Sequence, residues 1–242
     1  MAVASSSSEA PRPLSLSGPP KETLVRSRAL LARHATPEEM RNLRLGGGTA
    51  LAMRWKHRHS TDIDYAMDVD VAEAFVDRSH GAMTADLREL VRAGAIKRKF
   101  LFAGRSASWH YVDSGPVSIS ASLRRADPEV MDWEADTGTL VVPTFEILRG
   151  KLLGRVLNGN RLLVRDGYDL CCAFLYAPEE IASLVQLARR QRGEDMERMF
   201  DLVVGTRRRI IVGRPLQDAV HEDIAHNPWR LFMEQALDVP AE

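Results

Sequence analysis

The spacing of apolar positions changes along the chain, and each change marks a predicted element. Residues 1–20 show no period: they are rich in Ser, Pro, Ala and Gly and nearly devoid of bulky apolar side chains, which predicts a flexible tail. Over 21–34, Leu24, Leu30 and Leu31 recur at near-helical spacing with Arg26, Arg28 and Arg33 on other faces, so an amphipathic helix is expected. Thr36-Pro37-Glu38-Glu39 supplies an N-cap, a proline at the first helical position and a capping-box glutamate for a short helix ending near Asn42. Three glycines, Gly46 to Gly48, then make a turn that no side chain crowds, and 49–56 is built of helix formers. The period drops to that of a strand over 62–67. Residues 70–78 and 82–92 read as two helices, the second closed by Gly94. Alternation returns in 96–102, 108–112 and 117–123, separated by Gly104 and by Asp113-Ser114-Gly115-Pro116, and Val141-Val142 adds a last strand. From Pro143 onward the pattern is helical. One helix has the stripe Phe145, Leu148, Leu152 and Val156, another carries Asp166, Asp169, Leu170 and Phe174, and further helices cover 179–192, 194–204, 216–226 and 229–237.

This order predicts an α/β (α+β) protein: a tail over 1–20, a mixed-sheet lobe over 21–142 and a helical C-terminal lobe over 143–242. A chain of 242 residues with 45% hydrophobic content can build a proper core. Lys+Arg and Asp+Glu both number 33, so the net charge is zero and long-range attraction to nucleic acid is not written into the balance. Any such contact has to come from local clusters: Lys97-Arg98-Lys99, Arg189-Arg190-Gln191-Arg192 and Arg207-Arg208-Arg209. No aromatic residue interleaves with them, so each taken alone reads as solvated surface. Cys171 and Cys172 are adjacent in an apolar helical run, which suits neither a disulfide nor a metal cage. The histidines, among them His57, His59 and His110, lack metal-ligand spacing. With no membrane-length apolar run and no signal-peptide pattern, the expectation is a cytoplasmic protein without a membrane partner.

The chemistry concentrates between residues 45 and 67. The glycine turn leads into a helix N-terminus, where free N–H groups and the dipole favour an anion such as phosphate. On the following strand Asp62 and Asp64 share one face, their Cα atoms roughly 6.5 Å apart, while Ile63 turns to the core. Two such carboxylates repel unless a cation lies between them, and a hard one such as Mg²⁺ is held by one or two carboxylates plus substrate phosphates. Further on, Lys151 and Arg155 project together from their helix, either into solvent or toward an anion. Asp166 and Asp169 lie on one helical face, where Asp166 at the first turn also complements the dipole.

Two ordered blocks resemble a known family. Gly47-Gly48-Thr49-Ala50-Leu51 with Arg58-x-Ser60-x-Asp62-Ile63-Asp64, and Lys151-Leu152-Leu153-Gly154-Arg155 with Arg165-Asp166-Gly167-Tyr168-Asp169-Leu170, are similar to the signature of the AbiEii/AbiGii class of nucleotidyltransferases, toxin components of bacterial type IV toxin–antitoxin and abortive-infection systems. The resemblance covers roughly residues 22–176 and implies a polymerase-β-like nucleotidyltransferase lobe with its site in the cleft before the helical lobe. It implies that Asp62 and Asp64 hold Mg²⁺, that Gly47, Gly48, Thr49 and Lys151 hold the nucleoside triphosphate, that Arg58 and Ser60 support the leaving group, and that Asp166 orients Lys151 or serves as a further acid or base. One departure stands out. Polymerase-β-like enzymes usually take a third carboxylate from a later strand, and here Val117-Ser118-Ile119-Ser120 puts serines in its place.

The expected reaction moves a nucleotidyl group from the triphosphate to an acceptor. The family implies RNA, in some members the 3′ end of tRNA, and growth arrest relieved by a separate antitoxin protein. Two alternatives stay open: transfer to a small molecule such as an antibiotic, and a catalytically decayed module that binds a nucleotide and signals.

Overall fold

The structure is a computed structural model that describes residues 10–122, 129, 131–159, 161–205, 210–211 and 216–240. The chain divides into two compact units. Among the described residues, 10–54 with 60–142 form the first, and 55–59 with those from 143 onward form the second.

The first unit contains β1 (Pro13–Leu14), α1 (Pro19–Ala32), α2 (Pro37–Asn42), β2 (Arg44–Gly46), α3 (Gly47–Trp55), β3 (Ile63–Asp68), α4 (Val69–Arg92), β4 (Leu101–Ala103), β5 (Ser106–Tyr111), β6 (Gly115–Ser122), β7 (Trp133–Glu134) and β8 (Leu140–Val141). Eight strands make one mixed sheet in the order β1-β7-β8-β2-β3-β6-β5-β4. β3 runs antiparallel to β2 and parallel to β6, and its Ile63, Tyr65 and Met67 are buried as the alternation requires. α1 packs on it through Leu24, Leu30 and Leu31, and Ser27 Oγ lies 2.8 Å from the Tyr65 hydroxyl. The capping box of α2 forms as its sequence specifies, with Glu39 N–H donating to Thr36 Oγ1 and Thr36 N–H donating to Glu39 Oε2.

Four features depart from the sequence pattern. Within residues 1–20, read from composition as a tail, Pro13–Leu14 pairs in parallel with β7, and Leu14 and Leu16 are buried. A two-residue strand is too short to show a period. The two helices expected over 70–92 are one, because Ala72, Phe75, Val76, Ser79, Met83 and Leu87 form a continuous buried stripe past Gly81. β2 has only three residues and went unread. Lys97, Arg98 and Lys99 lie exposed in a loop ahead of β4 rather than in a strand.

The second unit contains α5 (Thr144–Arg149), a π-helix (Gly150–Asn158), β9 (Leu162–Leu163), α6 (Val164–Tyr176), α7 (Pro178–Gly205), β10 (Ile210–Ile211), α8 (Glu222–His226) and α9 (Pro228–Asp238). α6 is its axis. At Gly167 a Cβ would stand 2.8 Å from the Trp229 ring, so only glycine lets α6 and α9 approach this closely. α7 bends at Arg192 (φ −146°, ψ 39°), which joins the two helices expected there into one kinked element. Arg189 donates to the carbonyls of Ala236 and Val239 at 2.6 Å each, tying down the end of α9. The Arg207-Arg208-Arg209 cluster lies outside the described residues. Trp55–His59 belongs here through a bridge between His59 and Gln217 and through Val220 N–H donating to the His57 carbonyl at 2.9 Å. Among the described residues no helix is long and apolar enough to cross a membrane.

Candidate functional site

β2 delivers Gly46 opposite Asp64 of β3, so the glycine turn and the acid, a helix apart in sequence, are neighbours across one ladder. The backbone turns at Gly47 with φ +64°, and a Cβ there would lie 2.2 Å from Asp64 Oδ2. Both the left-handed conformation and the close approach demand glycine. α3 begins at Gly47, ahead of the expected start, so Gly47, Gly48 and Thr49 form its first turn. N–H groups in a first turn have no partner within the helix and carry the positive end of its dipole.

Thr49 and Ser60 are buried in this region. The Thr49 hydroxyl donates to the Asp62 carbonyl, with Ser60 Oγ 2.9 Å away, and so braces the turn against the entry to β3. Asp62 sits one residue before the strand, and Thr61 Oγ1 lies 3.3 Å from its Oδ1. Ile63, fully buried, separates Asp62 from Asp64 and leaves both acids half-buried.

β6 runs beside β3 in a register that places Ser118 opposite Asp64, Ser120 opposite Ala66 and Ser122 opposite Asp68. Ser118 Oγ donates to Asp64 Oδ1 at 2.6 Å. Among the described residues no three His, Cys, Asp or Glu side chains are gathered to hold a metal ion. The polar side-chain groups gathered here, the Asp62 and Asp64 carboxylates and the Ser118 hydroxyl that donates to Asp64, are all oxygen. That set suits a hard divalent cation such as Mg²⁺ whose remaining ligands are phosphate oxygens and water.

The second unit holds a buried ionic network. Lys151, 4% exposed, places Nζ 2.5 Å from Asp166 Oδ1 and 3.0 Å from Asp169 Oδ2. Arg58, buried as well, grips Asp169 with two donors at 2.7 and 2.9 Å. His57 Nε2 is 2.8 Å from the same carboxylate, and Arg155, its side chain 46% exposed, reaches Asp166 at 3.2 Å. Three permanent cations thus meet two carboxylates. Burial by itself would raise the pKa of Asp169, but Arg58 and Lys151 outweigh it and hold the carboxyl well below its usual range. Lys151 and Arg155 lower Asp166 against the same opposition. His57 moves the other way from a partnered histidine: its burial lowers the pKa more than Asp169 raises it, so the ring stays neutral.

Asp169 and His57 carry more of this network than sequence reasoning gave them. Spacing placed Asp169 on the face of Asp166, but nothing local pairs His57 and Arg58 with an acid 111 or more residues away. The π-helix was also illegible. Its wider turn buries Leu152, Leu153, Val156 and Leu157 together with Lys151. Cys171 and Cys172 are free and buried, their thiols pushed up to about 12 by that burial, so neither is a nucleophile.

The glycine turn at the N-terminus of α3 thus lies against Asp64 of β3, with Asp62 at the entry to that strand. The chain belongs to the AbiEii family, nucleotidyl transferase toxins of type IV toxin–antitoxin systems, whose family model matches residues 28–242. Two solved structures, both from Helicobacter pylori, show a distant likeness. One, presented as a nucleotidyltransferase, is 15% identical, with 94% of this chain and 100% of that one covered at a TM-score of 0.43. The other, JHP933, is also 15% identical, with 92% and 95% covered at 0.42. No curated protein matches the chain.

Proposed function

We propose that the chain transfers a nucleotidyl group from a nucleoside triphosphate to a hydroxyl of RNA, with tRNA as the leading acceptor, and releases pyrophosphate. The observation that carries this reading is the pairing of Gly46 with Asp64, which sets the φ +64° turn at Gly47 directly against the acid. Asp62 and Asp64 hold Mg²⁺, which when bound neutralises phosphate charge and lowers the pKa of an attacking hydroxyl. The first-turn N–H groups of Gly47 and Gly48 receive the β- and γ-phosphates. Thr49 and Ser60 keep that turn in place. Lys151, Arg58 and Arg155 with Asp166 and Asp169 form a centre with one positive charge in excess, and Arg155 is its exposed member.

Charge placement and the family both support RNA as the acceptor. Lys97 N–H donates to the His110 carbonyl, and His110 lies opposite Pro116, next to the Val117–Ile63 pair. Lys97, Arg98 and Lys99 therefore sit at the same end of the sheet as Asp62, exposed and able to track a phosphate backbone. In the cell the activity slows growth, and a separate antitoxin relieves it.

Incubation with labelled nucleoside triphosphates, total RNA and Mg²⁺ tests the reading. Label on RNA that weakens steeply with salt is expected. Label on a small acceptor alone would make the protein a small-molecule nucleotidyltransferase, and nucleotide binding without any transfer would make it a decayed module.

A further inference from the structure

We propose that Ser118 is a positioning residue standing where a third carboxylate would be, and that it leaves a two-carboxylate centre which takes a divalent cation only together with a nucleoside triphosphate. The inference rests on the metal role assigned above to Asp62 and Asp64. Asp64 is clamped from two sides. Ser118 donates to Oδ1 at 2.6 Å, and the Gly47 backbone closes on Oδ2 so tightly that a Cβ would stand 2.2 Å from it. The clamp is rigid because β3 and β6 stay in register over six consecutive pairs, from Ile63↔Val117 to Asp68↔Ser122. A carboxylate fixed in this way needs no further ordering when a ligand arrives.

The charge of the centre decides what it can hold. A carboxylate at position 118 would add a third negative charge beside Asp64 and bind a cation without help. The hydroxyl adds no charge and is already engaged with Asp64. Two carboxylates leave a hard, strongly hydrated cation short of ligands, and the oxygens that complete its shell are those of the triphosphate. Metal and nucleotide then enter as one unit, and a cell rich in free Mg²⁺ does not load the site ahead of its substrate.

Calorimetric titration of Mn²⁺, with and without a non-hydrolysable triphosphate analogue, tests this on the wild type, Ser118→Ala, Ser118→Thr and Ser118→Asp, with melting temperature as the fold control. The wild type binds Mn²⁺ only in the presence of the analogue. Ser118→Ala binds it about tenfold more weakly at an unchanged melting temperature, the order expected on losing a hydrogen bond to a carboxylate. Ser118→Thr restores wild-type affinity, and Ser118→Asp binds Mn²⁺ without the analogue. Tight Mn²⁺ binding by the wild type alone, or wild-type affinity in Ser118→Ala, overturns the proposal; the alanine and threonine variants decide it even if the aspartate variant fails to fold. Asp64→Asn separates the two levels. If it binds Mn²⁺ with the analogue as the wild type does, the metal role of the acid pair fails, whatever Ser118 does.

Discussion

Gly47 and Gly81 show how differently two glycines of one chain are used. At Gly47 the backbone is left-handed and faces Asp64, so Gly47→Ala combines strain with a clash against the acid. The variant should lose about 10²-fold in transfer rate, the scale expected when a reacting group is misplaced by about an ångström. Steady-state kinetics checks this, and a rate within threefold of wild type would detach the turn from the chemistry. Gly81 lies inside α4, has no positive φ, and would leave an added Cβ with nothing within 4 Å. Gly81→Ala should therefore stabilise by roughly 0.5–1 kcal/mol, read from the denaturation midpoint. The glycine run, the Asp-x-Asp pair and the serines at 118 and 120 were legible because each is local in sequence. That Gly46 pairs with Asp64 was not, because three residues of β2 carry no readable alternation.

Among the elements, the π-helix and α6 hold the most charge with the least water. Removing Lys151 leaves Asp166 and Asp169 buried with one cation fewer. Lys151→Met should then cost about 3–5 kcal/mol of stability, visible as a lower melting temperature, whereas a solvated lysine would cost almost nothing. His57 adds a pH dependence of defined sign. Its native ring is neutral with a pKa below 6.5, so the unfolded chain takes up the proton first. Stability from this group is full above about pH 6.5 and falls as the pH drops toward the lower native value. Asp166 and Asp169, both depressed, add a second loss only when the pH falls below the ordinary carboxylate range. Urea midpoints measured from about pH 7 to pH 5 should decline in the wild type and decline less in His57→Gln; parallel curves would remove His57 from the account. Helical and strand periods announced α1, α6, β3, β5 and β6, and its capping box announced α2. A π-helix leaves no such mark, since its buried stripe, Leu152 and Val156 among it, also fits an ordinary helix.

At the scale of the whole molecule, each compact unit carries one charged centre: the acid pair with its glycine turn in the sheet unit, and the Lys151 network in the helical unit. With zero net charge, the proposed RNA acceptor would have to be drawn by local cations such as Lys97, Arg98 and Lys99. Sequence order marked the residues of both centres, because the motif blocks are uninterrupted strings, but read them as parts of one site. The chain excursion that lends Trp55–His59 to the helical unit could not be read, since it depends on pairings with Gln217 and Asp169 made only in the folded protein. In the proposed reaction, Asp64 is the residue without which no nucleotide is transferred. Pyrophosphate release by the wild type and by Asp64→Ala, with nucleoside triphosphate, Mg²⁺ and total RNA, tests this most directly. The variant should melt with the wild type and release pyrophosphate at least ~10²-fold more slowly, about 3 kcal/mol of lost transition-state stabilisation. Release within tenfold of the wild type, at an equal melting temperature, would contradict it.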